Sequence, residues 1–421
     1  MPRLVDLPGY RRFWVASTVS IFGAHVTTVA LQIFVVVALH ATAFELGLMN
    51  AARWLPYLLF GLVAGVLVDR CRRKPILVGT DFGRAALVCV IPLLYVAELL
   101  TMPALIAYVM VFGLLSLLFD AANQSFLPRL VPRKLLIPAN ARLEQSDSVA
   151  QTAGPLLAGA LIQVVGAPVA MLVDAASYLV SGVLLASISV TERAQPASRR
   201  DLRAEVREGL SWIYRHRTLA PMAVTSHAWF LFHSMLGTVF VAYALDAREL
   251  DLGAFWLGAA YACGGVGAFL GGALAGWAGR RFDAGPTVIA AHALMAPAWA
   301  LMPLAVPGLA VFVMVALSQF LFWVAMGVTG PNELGYRQSV TPDGLQGRMN
   351  TTIRSLNRAA VVVGAPLGGF LAVATGYRTA LWIGVAGFVL VALAMAVSPF
   401  RHARYADAVD PGPEPDFTVG V

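Results

Sequence analysis

Hydrophobic residues run in long blocks along this chain, and polar residues are confined to the short gaps between them. Twelve blocks can be drawn, at about 13–39, 45–68, 75–98, 102–126, 143–165, 168–190, 219–245, 253–279, 285–305, 308–332, 350–375 and 377–399. Crossing the hydrocarbon layer of a bilayer takes about 20 mostly apolar residues in a helix, so each block predicts one membrane-spanning helix. The first is too long for a signal-peptide core and lacks a clear cleavage site, which predicts a retained helix.

The gaps alternate in charge. Arg70, Arg72, Arg73 and Lys74 follow the second block, Arg129, Arg133, Lys134 and Arg142 follow the fourth, and seven arginines lie between Arg193 and Arg217 after the sixth. Odd-numbered gaps hold only Arg248 and Arg378. Basic residues stay on the cytoplasmic side, so the pattern predicts an even number of spans with both termini in the cytoplasm.

Two stretches repeat. Gly61-x3-Gly65-x3-Asp69-Arg70 returns 211 residues later as Gly272-x3-Gly276-x3-Arg280-Arg281. Gly154-Pro155-Leu-Leu-Ala-Gly159 returns as Gly364-Ala-Pro366-Leu-Gly-Gly369, and Val131-Pro132 as Thr341-Pro342, both at an offset of 210. Small residues at such spacing predict close helix contacts. The fold class predicted is an all-α integral membrane protein of twelve transmembrane helices, in two parallel-repeat halves of six. The predicted organisation is an N-terminal half (1–190), a cytoplasmic linker with an amphipathic helix (191–218), a C-terminal half (219–400) and a disordered cytoplasmic tail (401–421).

Composition agrees with a membrane protein. Of 421 residues, 59% are hydrophobic and 13% charged, against about 45–50% and about 25% in soluble proteins. The formal net charge of +7 would point to nucleic acid in a soluble chain, but here it lies in short gaps and is read as topology signal facing anionic lipid. Cys71, Cys89 and Cys263 have no disulfide or metal spacing. No phosphate-binding Gly-x4-Gly-Lys-Ser/Thr loop or His-Glu-x2-His helix is present. Gly265-Val-Gly267-Ala-Phe-Leu-Gly271 has near-dinucleotide-loop spacing but sits inside a block with no preceding strand, so close helix packing is expected. No enzyme activity, metal or cofactor is predicted.

The stretch from Gly61 through Gly65, Asp69, Arg70 and Arg73 to Lys74 resembles the signature between helices 2 and 3 of the major facilitator superfamily, and the likeness extends over about Arg11 to Arg401. Leu55-Pro56, Asp81-Phe-Gly-Arg84, Leu127-Pro128 and Asp174-Ala-Ala-Ser-Tyr178 resemble the branch holding macrolide-efflux proteins and the enterobactin exporter. The resemblance implies that Asp69, with Arg70 beside it, holds the halves together on the cytoplasmic side. Gly154, Pro155 and Gly159 resemble the helix 5 antiporter motif, with Ala158 and Ala150 departing from it, while the helix 4 arginine common in proton-coupled drug exporters is missing between Met102 and Phe126.

Ionisable residues inside spans are costly and so mark function. Arg53 and Asp174 lie at comparable depth and can pair, as structure or as a substrate or coupling site. Asp81 and Arg84 are spaced to meet on one helix face, as a structural pair or gate. Asp120 is a proton carrier or a partner of Arg354 or Arg358. His25 and His233 occupy equivalent mid-span positions and are read as a proton-responsive pair or as packing; His227 and His292 are read as packing. Glu98, Asp246 and Glu333 sit near predicted span ends, where capping is expected. Trp229, Phe230, Phe232, Phe320, Phe322 and Trp323 suit the wall of an apolar pocket or a lipid-facing surface. The sequence therefore predicts a secondary active exporter in the cell membrane, proton-coupled, carrying drugs, antibiotics or other amphipathic small molecules by alternating access. Its expected partners are that small molecule, protons and lipid, and no nucleic acid. The alternatives are export of a siderophore or endogenous metabolite, for which Arg53, Arg354 and Arg358 offer cationic surfaces, and a non-transporting receptor or scaffold.

Overall fold

The computed structural model describes residues 4–190, 202–306, 308 and 310–407. Every described element is helical. In chain order they are α1 (Pro8–Val37), α2 (Ala43–Arg70), α3 (Arg73–Val96), α4 (Met102–Leu130), α5 (Leu136–Val165), α6 (Ala167–Ala186), α7 (Leu202–Arg215), α8 (Leu219–Leu245), α9 (Ala254–Phe282), α10 (Ala284–Leu304), α11 (Val311–Ser339), α12 (Asp343–Thr375) and α13 (Tyr377–Val397). Among the described residues eleven helices are long and apolar enough to cross a membrane. The second predicted span is filled by α2, of 28 residues, packed between α4 and α12.

Local chemistry fixes the helix ends. Thr42 and Glu45 form a reciprocal capping box at the start of α2, with the Thr42 N–H donating to Glu45 Oε2 at 2.8 Å and the Glu45 N–H to Thr42 Oγ1 at 3.2 Å. Two turns of a single residue join α5 to α6 and α12 to α13. Both are glycines in the left-handed region, Gly166 at φ +79° and Gly376 at φ +89°, a conformation that a side chain would strain. They are 210 residues apart, so the repeat extends to backbone conformation.

In the N-terminal half α1 packs on α5 and α6, α3 on α4 and α6, and α2 on α4; in the C-terminal half α8 packs on α12 and α13, α10 on α11 and α13, and α9 on α11. The halves meet along two main seams, α2 with α12 and α5 with α9. The repeat exchanges one seam for the other. A Cβ at Gly47 would lie 2.5 Å from the Ala365 carbonyl oxygen, and one at Gly258 would collide with the Pro155 carbonyl. Likewise a Cβ at Gly159 would lie 2.8 Å from the Ala254 carbonyl oxygen, and one at Gly369 would collide with that of Ala43. Each residue has its counterpart in the other seam at 210 or 211 positions along the chain. All eight lie at the end of the bundle opposite the helix α1 N-terminus.

This relocates the close contacts expected at Gly61 and Gly276, whereas the Gly272 backbone does meet α11, a Cβ at Gly327 lying 2.7 Å from the Gly272 nitrogen. A Cβ at Gly61 or Gly272 meets nothing within 4 Å, and one at Gly276 meets only the side chain of Arg280. These glycines stand at the end where the halves part, and Gly65 lies outside the residues whose surroundings are described. Gly267 and Gly271 instead press on the backbone of Phe320 and Val324 in α11, and Gly265 on Thr152 in α5, which is the packing expected of that stretch.

The linker helix is α7. Ile213, fully buried, packs with Ala223, Met349 and Ile353, the Trp212 indole donates to Thr341 Oγ1 at 3.4 Å, and Glu208 pairs with Arg348. Its apolar face is therefore used at least partly on α8 and α12 rather than on lipid. Ile213→Ala is expected to cost about 2–5 kcal/mol of this docking, the range for deleting a buried aliphatic side chain. Trypsin should then cut after Arg215 at least tenfold faster, and an unchanged cleavage rate would count against the docking.

The tail is corrected in part. Pro399–His402 and Tyr405–Asp407 form 3-10 turns, and the Tyr405 hydroxyl donates to Asn332 Oδ1 at 2.8 Å, because an aromatic ring with a polar tip suits the edge of α11. The rest of the predicted tail, 408–421, and linker residues 191–201 lie outside the described residues.

Candidate functional site

Between the halves lies a cavity of about 840 Å³. It is walled by α1 and α2 on one side and by α8 to α12 on the other. Toward the far end it is crossed by Asn50, whose amide donates to Thr238 Oγ1 at 3.1 Å, and beyond this bond the two glycine seams close the bundle. Toward the end that bears the termini it reaches Arg337, Gln338 and Asn350.

One wall is an aromatic shelf. The rings of Trp229 and Phe322 are parallel at 6.2 Å, His233 stacks on them at 4.6 and 5.3 Å, and Trp323 stands edge-on at 6.3 Å from His233. The Trp229 indole donates to Met295 Sδ at 3.1 Å, which locks the shelf onto α10. Of the six aromatics expected to line a pocket, Trp229, Phe230, Phe322 and Trp323 do so. Phe232 packs against Gly387 in α13, and Phe320 presents its backbone to Gly267.

Another part of the lining is basic. Arg53, Arg354 and Arg358 line it together with Arg337, and Glu333 is the one carboxylate among the lining residues. The Arg53 guanidinium donates to Thr28 Oγ1 at 3.0 Å. That of Arg358 lies over the Trp54 ring at 3.9 Å and the Tyr57 ring at 4.7 Å. Tyr57 in turn donates its hydroxyl to Asp120 Oδ2 at 2.7 Å. Asp120 of α4 is thus linked to Arg358 of α12 through a tyrosine of α2, a relay that joins the halves.

The remaining predicted residues separate. Asp174 takes the Ser177 hydroxyl at 3.0 Å and is wedged against Gly23, so Arg53 and Asp174 have different hydrogen-bond partners despite their similar depth. Asp81 and Arg84 form a buried ion pair, with the guanidinium between the rings of Phe119 at 4.1 Å and Tyr178 at 4.3 Å, away from the cavity wall. His25 engages Asp147 of α5 at 3.3 Å, while His233 sits in the aromatic shelf, so the structure does not bring the two into one contact. Gly154 abuts the His25 side chain, a Cβ there lying 2.5 Å from that of His25, and Pro155 and Gly159 form half of the α5–α9 seam. Arg73 is buried at the start of α3. The gate expected of Asp69 and Arg70 lies outside the residues whose side chains are described.

Four lining residues are not expected at the cavity from sequence: Glu333 reads as a span end and His292 as packing, and Asn357 and Arg337 carry no site assignment. Because α11 runs on to Ser339, Glu333 lies within the helix and not at a span end; its carboxylate is 3.9 Å from His292 Nε2. His292 therefore lines the cavity as well as packing. Asn357 Oδ1 accepts from His227 Nδ1 at 2.6 Å, and His227 Nε2 meets the Tyr214 hydroxyl at 2.9 Å, tying α7 to the cavity wall. Arg337 lies in the basic gap after the predicted tenth span. The i, i+4 spacing of Glu333 and Arg337 on one helix face is the signal that finds these two, while no spacing in the sequence marks His292 or Asn357.

Comparison with known proteins then gives three findings. The family model described as Major Facilitator Superfamily matches residues 13–357. The uncharacterised MFS-type transporter y4rN of Sinorhizobium fredii is 28% identical over 93% of this chain and 95% of its own length, and the multidrug efflux pump Tap of Mycolicibacterium fortuitum is 26% identical over 91% and 94%. Among solved structures, a bacterial homologue of the iron transporter ferroportin in an inward-facing state superposes with a TM-score of 0.72 at 16% identity, covering 92% of this chain and 97% of that one.

Proposed function

Because this chain belongs to the Major Facilitator Superfamily and is a multi-pass membrane transporter, we propose that it is a secondary active exporter of amphipathic small molecules, driven by protons. It sits in the cell membrane with both termini in the cytoplasm, against lipid, and its halves, residues 1–190 and 219–400, rock about the cavity. The observation that carries this reading is the combination of two repeat-related glycine seams at one end with a cavity of about 840 Å³ extending to the other. A bundle with such seams at one end and an open cavity is one state of an alternating-access cycle. The aromatic shelf suits a hydrophobic body, and the name of Tap favours outward movement.

Proton coupling would run through Asp120. Its carboxylate accepts from Tyr57, on whose ring Arg358 rests. Neutralising it by protonation weakens its pull on the arginine of the opposite half, so a proton arriving from one side loosens the link between halves. Asp69 would act at the cytoplasmic gate, as its resemblance to the family signature implies. Intact cells loaded with fluorescent amphipaths of either charge are expected to clear at least one dye several-fold faster than cells lacking the protein, and an uncoupler should abolish the difference. Asp120→Asn should slow efflux at least tenfold while leaving expression unchanged. Efflux that survives the uncoupler removes the proton from the scheme, and dye movement in the inward direction alone removes export.

A further inference from the structure

Among the described residues, none of the four cavity arginines is in direct contact with a carboxylate: Asp120 reaches Arg358 only through the Tyr57 ring, and Glu333 stands one helical turn from Arg337. Arg354 and Arg358 are four residues apart on α12 and so share one face; Arg337 of α11 and Arg53 of α2 line the same cavity. Against four fixed positive charges the lining offers one carboxylate, Glu333. Among the described residues no carboxylate oxygen lies within 4 Å of any of the four guanidiniums, as the ion pairs that do form lie elsewhere. Nε of Arg337 and Nη1 of Arg358 are buried without a hydrogen-bond partner.

Clustering these charges without a contacting carboxylate is costly. Like charges one helical turn apart repel, and ionised groups at membrane depth normally pair. Arg358 is held instead by the faces of Trp54 and Tyr57, which fix the guanidinium plane and leave N–H edges available. A fixed guanidinium plane is the group best matched to a carboxylate, through two parallel N–H···O bonds. The same cavity is lined by the rings of Phe230, His233 and Trp323, an apolar surface that suits an aromatic body.

We propose that the cavity is selective for anionic amphipaths: its substrate is a small molecule carrying a carboxylate on an aromatic or polycyclic body, with the carboxylate at Arg354 and Arg358 and the body against the shelf. This rests on reading the cavity as the transport site, and it narrows the amphipath of that reading to one charge. Positive drugs of the same size are disfavoured by the same arginines.

Three probes of equal size separate charge from shape: 1-naphthaleneacetate, its neutral amide 1-naphthaleneacetamide, and 1-naphthylmethylammonium. Binding is measured by quenching of tryptophan fluorescence on the full chain in zwitterionic nanodiscs. The acetate is expected to bind at least tenfold more tightly than the amide or the ammonium ion, and less tightly as chloride is raised. Arg354→Gln should abolish most of that preference. Arg358→Gln should do the same and Arg358→Lys should restore part of it. Equal binding of all three probes, no binding of the acetate up to its solubility, or tightest binding of the ammonium ion overturns the proposal. So does complete displacement of the acetate by phosphatidylglycerol in the nanodisc, which would make the arginines a lipid headgroup site. Direction is read separately in everted vesicles: acetate that binds with this preference but moves only inward sinks export and leaves the anion subsite standing.

Discussion

Arg84→Ala is expected to leave little folded protein. Arg84 and Asp81 are an ion pair of which the carboxylate is entirely buried and the guanidinium 5% exposed. Removing the arginine strands an uncompensated charge and empties the space between Phe119 and Tyr178. Losing one partner of a buried pair costs about 3–5 kcal/mol, a large part of the roughly 5–15 kcal/mol that separates folded from unfolded protein. The melting temperature of the detergent-solubilised chain should fall by at least ten degrees, or the monodisperse peak should disappear on size exclusion. The double replacement Asp81→Leu with Arg84→Met tests the cause, since an apolar pair of similar volume can replace a buried ion pair at little cost. It should recover the melting temperature. A double variant that is stable but does not transport would make the pair a gate after all. Normal stability of Arg84→Ala would show that the charge is not dry.

The architecture was legible because its signals are long and additive. A span is about 20 residues of one character, and an error of one span would have reversed the charge alternation in every later gap. The repeat was legible too, at Gly154–Gly159 and Gly364–Gly369, yet its use was misjudged at Gly61. Spacing says that small residues share a helix face. It does not say whether another backbone lies opposite. Gly47 and Gly258 carry no motif that sets them apart, and they became visible only once α12 and α5 were placed against them. The same gap between depth and direction separates Arg53 from Asp174: both lie at similar height, but α2 turns its arginine to the cavity while α6 turns its aspartate into α1. His25 and His233 show how equivalent positions diverge, since the neighbour of one is Asp147 and that of the other a stack of rings. Glu333 was misplaced for a simpler reason. An apolar block marks where the lipid is and not where the helix stops, and α11 continues for seven residues beyond the predicted span.

Leucine at Gly369 is expected to drive the bundle out of the state seen here and to stop transport. The Ala43 carbonyl leaves no room for even one carbon at that position, and α2 cannot retreat without breaking the seam that closes the far end. Overpacking of this kind costs about 1–3 kcal/mol, and each 1.4 kcal/mol is a tenfold shift in an equilibrium, so the closed seam should lose about one to two orders of magnitude in population. Alternating access needs both states, and turnover should fall by a similar factor. Gly237 gives a direct view of the switch, since it lines the cavity and a Cβ there meets nothing within 4 Å. With Cys71, Cys89 and Cys263 replaced, a cysteine introduced by Gly237→Cys should react with an impermeant maleimide from the face that bears the termini. Adding Gly369→Leu should move that reactivity to the opposite face. Gly61→Leu is the matched control: it stands in open space in this state, so the same bulk should leave labelling from the first face intact. Labelling that stays on the first face in the Gly369→Leu protein would mean that the seam yields locally and that these glycines do not set the balance between states. If labelling moves as expected, the two-seam symmetry predicts that leucine at Gly159, the repeat partner of Gly369, shifts the bundle in the same direction through α9.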